Sequence, residues 1–166
     1  EQELRDKILG FNPHVVVVSY GGALGGTDDA LARVRGVDGV QAAAPFVYGQ
    51  AMITIGRAVS GIVVRGLDPK SAGGVVDIER HLASGSLDAL SAPHKVTLPP
   101  DEGGGTVELS GLLVGQELAR QLGVAPGDAV SVVSPLGTPG PAGMVPRVKR
   151  FVIAGIFDSG MYDYDT

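Results

Sequence analysis

The chain has 166 residues, of which 44% are hydrophobic and 5% aromatic, with 26 glycines, 11 prolines and a formal charge of -5. This length suits one domain or two small interlocked subdomains, with enough apolar residues to bury a core. The absence of cysteine excludes disulfides, thiol catalysis and thiolate metal sites, and without converging Lys and Arg a nucleic-acid partner is not expected.

The opening run Glu1-Gln2-Glu3-Leu4-Arg5-Asp6-Lys7 is too charged for a signal peptide, and residues 1–9 read as a short helix closed by Gly10. His14 to Tyr20 carries four valines and predicts a buried strand. The uncharged stretch from His14 to Thr27 is broken by four glycines, far from the roughly 20 apolar residues of a spanning helix. The chain therefore reads as a soluble piece cut from a longer protein. Thr27 is the expected N-cap of a helix with Asp28 and Asp29 in its first turn and Gly36 at its end. A strand over Val40 to Ala44 completes a strand–helix–strand unit. Phe46–Ile55 and Ala58–Gly66 form a hairpin about Gly56-Arg57.

After the Asp68-Pro69 break, Val76 to Ala83 predicts a short helix, and Ser84 to Gly105 an irregular segment around a Val96–Leu98 strand. Leu109 to Val114 is apolar. Gln116 to Leu122 predicts a helix capped by Gly123, and Ala125-Pro126-Gly127-Asp128 a turn into the strand Ala129–Val133. A Pro/Gly segment, Ser134 to Arg147, precedes the final strand, Lys149 to Phe157.

No catalytic, cofactor or metal constellation emerges. Gly21-Gly22-Ala23-Leu24-Gly25-Gly26 lies between a predicted strand and a helix, where a dinucleotide loop would sit, but Ala23 breaks the G-x-G-x-x-G spacing. Asp28 and Asp29 would also repel a phosphate there, so the segment reads as a flexible turn. No lysine is preceded by Gly and followed by Ser or Thr, so a phosphate-binding loop for ATP is absent. His14, His81 and His94 stand far apart, and no Ser sits in G-x-S-x-G. Asp158, Asp163 and Asp165 lack the alternation of an EF-hand and read as part of a polar surface loop.

Ala129 to Pro146 contains no charge. Pro135, Pro139, Pro141 and Pro146 stiffen it, Gly137, Gly140 and Gly143 permit sharp turns, and Met144 and Val145 are the expected exposed apolar residues. Arg147, Lys149 and Arg150, just after it, are the densest basic group of the chain.

The segment Phe151-Val152-Ile153-Ala154-Gly155-Ile156-Phe157-Asp158-Ser159-Gly160-Met161-Tyr162-Asp163-Tyr164-Asp165 resembles the strand and exit segment of LolC/LolE-type permeases of lipoprotein-releasing ABC transporters. Three further stretches agree in order: Ala43 to Met52 followed by Val64-Arg65-Gly66-Leu67-Asp68-Pro69, Gly115 through Leu122-Gly123-Val124 to Gly127-Asp128, and the opening Leu4 to Gly10. Together they cover nearly the whole chain.

The resemblance implies the periplasmic domain of an inner-membrane permease without catalytic activity, flanked by transmembrane helices. Its partners would be a separate LolD-type ATPase, a second permease subunit, a lipoprotein substrate and a LolA-type periplasmic chaperone. It further implies an α+β fold of two parts. A porter-like βαβ part, incomplete here, would span residues 1–67 and 148–166, with Val15–Val18 and Val152–Ile156 in one sheet and the Asp28–Arg35 helix over one face. A β-rich sabre-like part, 68–147, would be inserted in it, with a protruding hook over 134–147. Within the hook, Pro141, Gly143, Met144, Val145, Pro146 and Arg147, together with Lys149 beside it, are the expected chaperone contacts. The alternative is a MacB-like efflux or mechanotransmission permease domain without a chaperone hook.

Overall fold

The computed structural model describes residues 12–20, 24–100, 103–140, 143–161 and 165. In chain order they form α1 (Thr27–Arg35), β1 (Phe46–Ile55), β2 (Ala58–Leu67), the single turn α2 (Pro69–Ala72), β3 (Leu82–Ser84), β4 (Pro93–Thr97), β5 (Thr106–Gly115), α3 (Gln116–Leu122), β6 (Ala129–Gly140) and β7 (Gly143–Phe157). The seven strands make one sheet in the order β2-β1-β6-β7-β5-β4, with β3 also pairing β7. All pairs are antiparallel except β5–β7. The fold is α+β.

The β1–β2 hairpin is the plainest product of local sequence. Gly56 takes a left-handed φ of 54° in a two-residue turn, and Ile55 then faces Ala58 in register. The helix α3 covers one face of the sheet. Its Leu118, Ala119 and Leu122 pack with Ile53, Val114, Val130 and Ile153 into the buried core. Gly123, at φ 68°, ends α3. Its N–H donates to the Arg120 carbonyl at 3.3 Å and the Val124 N–H to that of Ala119 at 3.0 Å, the paired bonds of a Schellman cap. The Asp128 carboxylate accepts from the Ala125 N–H at 2.8 Å, and the Gly127 N–H donates to the Ile153 carbonyl at 2.8 Å, which docks the turn on β7.

Several expectations are corrected. His14 to Tyr20 is not a strand: Val15 is 78% exposed, and among the described residues no ladder pairs with the run. Val40 to Ala44 is likewise unpaired. A strand exists only where a second strand takes up its N–H and C=O groups, and among the described residues none does so here. Val15–Val18 therefore does not share a sheet with Val152–Ile156. The helix α1 forms as expected but buries none of its residues, so it covers no sheet face. Its N-cap is Gly26 rather than Thr27, whose hydroxyl donates to the Leu24 carbonyl at 3.1 Å. Val76 to Ala83 is not a helix: a 3-10 turn, Glu79–His81, leads directly into β3. Leu82 is taken into the sheet opposite Phe157, and pairing with β7 outweighs the weak local helical period. The predicted helix over residues 1–9 lies outside the described residues.

The expected boundary at 67/68 falls at the end of β2, whereas that at 147/148 falls inside β7. β7 runs continuously through 147 and 148, and β1 is bonded to β6 across Met52–Thr54 and Ser131–Val133. Among the described residues the sheet begins at Phe46.

Candidate functional site

The segment marked by its prolines and lack of charge forms the far end of the β6–β7 hairpin. β1 pairs with β6 only through Ser131–Val133, and β5 pairs with β7 only from Phe151 onward. Beyond Val133 and before Phe151, β6 and β7 find ladder partners, among the described residues, only in each other, as a two-stranded ribbon. Proline and glycine do not leave the segment irregular. It becomes strand because Thr138, Pro139 and Gly140 find partners in Val145, Met144 and Gly143.

The ribbon is interrupted once. Ser134 pairs with Arg147 and Thr138 with Val145, so Pro135, Leu136 and Gly137 bulge opposite the single residue Pro146. Proline has no N–H to give the ladder, and a bulge is where a sheet tolerates it. Gly137 belongs there for a second reason: a Cβ on it would collide with the Val145 carbonyl.

Of the residues singled out for the hook, Gly143 and Met144 are placed by register opposite Gly140 and Pro139. Val145 is 55% exposed, and Pro146, Arg147 and Lys149 are exposed. Pro141 lies outside the described residues. Strand alternation divides the basic group, which the sequence alone could not do reliably. Arg147, Lys149 and Phe151 project from one face of β7, and Lys149 Nζ stands 4.9 Å from the centroid of the Phe151 ring. Val148 and Arg150 belong to the other face, where Val148, Val133 and Met52 line up across three strands. Val148 is 62% exposed.

The tail after β7 departs from its reading as a surface loop. Asp165 is only 6% exposed, and its carboxylate accepts from the Ser159 N–H at 2.9 Å. The Ser159 hydroxyl donates to the Met161 carbonyl and accepts from the Met161 N–H, both at 3.0 Å. The turn lies against Gly115, where a Cβ would collide with the Asp165 backbone. Gly115→Ala is accordingly expected to displace the tail, at a cost of about 1–3 kcal/mol for the overpacking. Amide exchange at Ser159 and Met161 should rise in this variant, and unchanged protection there would count against the packing role of Gly115.

Among the described residues no buried side-chain polar atom is left without a partner. His94 Nε2 is 2.7 Å from the Ala89 carbonyl, and the Ser84 hydroxyl accepts from the Ile156 N–H at 3.2 Å. Ser84 borders an open cleft of about 340 Å³ between β3 and α3, where no imidazole or carboxylate joins it. Among the described residues no three of His, Asp and Glu converge as metal ligands. No helix there is long and apolar enough to cross a membrane.

No family model matches the chain. Over 99% of its length it is 29% identical, across 169 aligned residues, to the "Lipoprotein-releasing system transmembrane protein LolC" of Neisseria meningitidis serogroup B. It is 30% identical, across 165 residues and again 99% of its length, to proteins of the same name from two strains of Xylella fastidiosa, Temecula1 and 9a5c. In each case the aligned part is 36% of the relative, so the chain spans about a third of the length of the curated relatives it matches.

Proposed function

We propose, from its similarity to LolC proteins over almost its whole length, that the chain is the periplasmic domain of an inner-membrane permease that releases lipoproteins and hands them to a periplasmic chaperone. In this reading the chain carries no catalysis: ATP is hydrolysed on a separate LolD-type subunit, and a second permease subunit completes the complex. The observation that supports the handover is the ribbon. Among the described residues it forms no ladder with a neighbouring strand, its residues 134–146 bear no charge, and Arg147 and Lys149 share one face at its base.

An uncharged tip enters an apolar cavity without stripping water from ions. Pro139 and Pro146 restrict the conformations of the free ribbon, which lowers the entropy lost on docking. Arg147 and Lys149, on one face, meet acidic groups at the chaperone's rim and speed encounter. Arg150 lies on the opposite face and takes no part. A contact limited to one ribbon is small, so affinity is weak, in keeping with a chaperone that must leave loaded.

The test is capture of a LolA-type chaperone by the immobilised protein. Lys149→Glu is expected to weaken capture, with a larger deficit at low salt, where charges are less screened. A deficit that does not depend on salt would rule out the electrostatic role of Lys149. Failure of the unaltered protein to retain the chaperone would favour a MacB-like permease domain that works without a hook.

A further inference from the structure

The bulge divides the β6–β7 ribbon into a base and a tip. Ser134–Arg147 is the last pair of the base and Thr138–Val145 the first of the tip, with three residues on β6 against one on β7 between them. No ladder pair joins base to tip across this interval, and two of its four residues, Pro135 and Pro146, have no N–H to offer one. Shape holds the two parts at their angle. Proline fixes its own φ, and a Cβ on Gly137 would collide with the Val145 carbonyl and crowd the Pro146 nitrogen, 3.0 Å away. A bulge bends its strand and increases the local twist. Along β7 the count is unbroken, so alternation puts exposed Val145 on the face of Arg147 and Lys149, with neighbours in this row about 6.6 Å apart.

We propose that the bulge is a positioning element: it sets the direction of the tip so that Val145 and the cations Arg147 and Lys149 reach one partner surface together. The partner, a chaperone with an apolar cavity and an acidic rim, rests on the function proposed above; the aiming of the tip does not. Two weak contacts on one support reinforce each other, because once either is made the other is intramolecular, and the gain vanishes when the geometry forbids both at once. A straight ribbon would carry the same side chains without that gain. A bulge that only housed a proline needs a single extra residue. This one has two, and Gly137 is pressed against β7 beside them.

Deleting Pro135 and Leu136 restores one-to-one register, with Gly137 opposite Pro146, and removes neither a tip residue nor a cation. The experiment uses the full-length protein in nanodiscs. It reads capture of a LolA-type chaperone, and the distance between spin labels placed by Val59→Cys on β2 and Gly140→Cys at the tip. The deletion should move that distance while its distribution stays narrow, and should weaken capture about tenfold or more with the melting temperature unchanged. Gly137→Ala, which keeps the chain length, should act in the same direction. Leu136→Ala keeps the bulge and should bind within about twofold of the unaltered protein. In the deletion background Lys149→Glu should add less than about twofold, since tip and cations no longer engage together. An unmoved distance, a distribution broadened by fraying, or undiminished capture by the deletion variant overturns the proposal. So does an equal loss in Leu136→Ala, which would make the bulge a contact and not an aiming device. If the unaltered protein captures no chaperone, the proposed function fails and the partner with it, whereas the label distance still decides whether the bulge aims the ribbon.

Discussion

Deleting Gly140 to Val145 is expected to abolish chaperone capture while leaving the far-UV spectrum and the melting temperature nearly unchanged. The deletion removes the end of the ribbon, including the pairs Thr138–Val145, Pro139–Met144 and Gly140–Gly143. The core residues Val130 and Ile153 lie well along β6 and β7 from the cut, and Ser134–Arg147 can still close the hairpin. An exposed apolar side chain such as Val145 contributes to binding and little to folding, so function and stability should separate cleanly. A deletion variant that held the chaperone at full strength would refute the hook. A variant that lost the chaperone and also melted much lower would mean that the ribbon supports the sheet, contrary to the pairing described above.

Ile53→Ala is expected to lower the stability of the domain by about 2–5 kcal/mol, the range for emptying a fully buried aliphatic site. Ile53 is 0% exposed and sits at the centre of the cluster formed with Val130, Leu118 and Ile153. It also occupies a narrow junction of the sheet. β1 meets β6 through Met52, Ile53 and Thr54 alone, and Ile53 faces Val132 there. Truncation therefore weakens the packing that fastens the β1–β2 hairpin to the remaining strands. Urea unfolding followed by circular dichroism measures the change. A loss under about 1 kcal/mol would show that the surroundings collapse into the space, at odds with the enclosure of this site. Ile62→Ala, on the partly buried outer strand, serves as the comparison and should cost less.

The residues legible in the sequence were those whose conformation is decided by near neighbours. Gly56-Arg57 between two alternating segments produced the β1–β2 hairpin, and the Leu118-Ala119-Leu122 stripe ending at Gly123 produced α3 with its cap. The ribbon was visible too, because prolines and the lack of charge mark it whatever its partners. The resemblance to LolC-type proteins extended the reading to function, since the ordered motifs spread along nearly the whole chain. Yet the same local cues misassigned Val15–Val18. Four consecutive valines favour a strand, but a strand requires a ladder, and no residue's own composition states whether one is present.

Four features were decided only by the tertiary structure. Leu82–Ser84 became strand because β7 was there to receive it. Asp165 became buried because Gly115 leaves room for its backbone, a contact between residues 50 positions apart. Arg147 and Lys149 were separated from Arg150 by the register of one strand, which sequence proximity had concealed. The place of β2 at one end of the strand order, among the described residues, is fixed by long-range pairing. Composition and period determined the β1–β2 hairpin and α3; which strands became neighbours and which side chains came together was settled by hydrogen bonds and packing between distant segments, whose energies are not written in any local window.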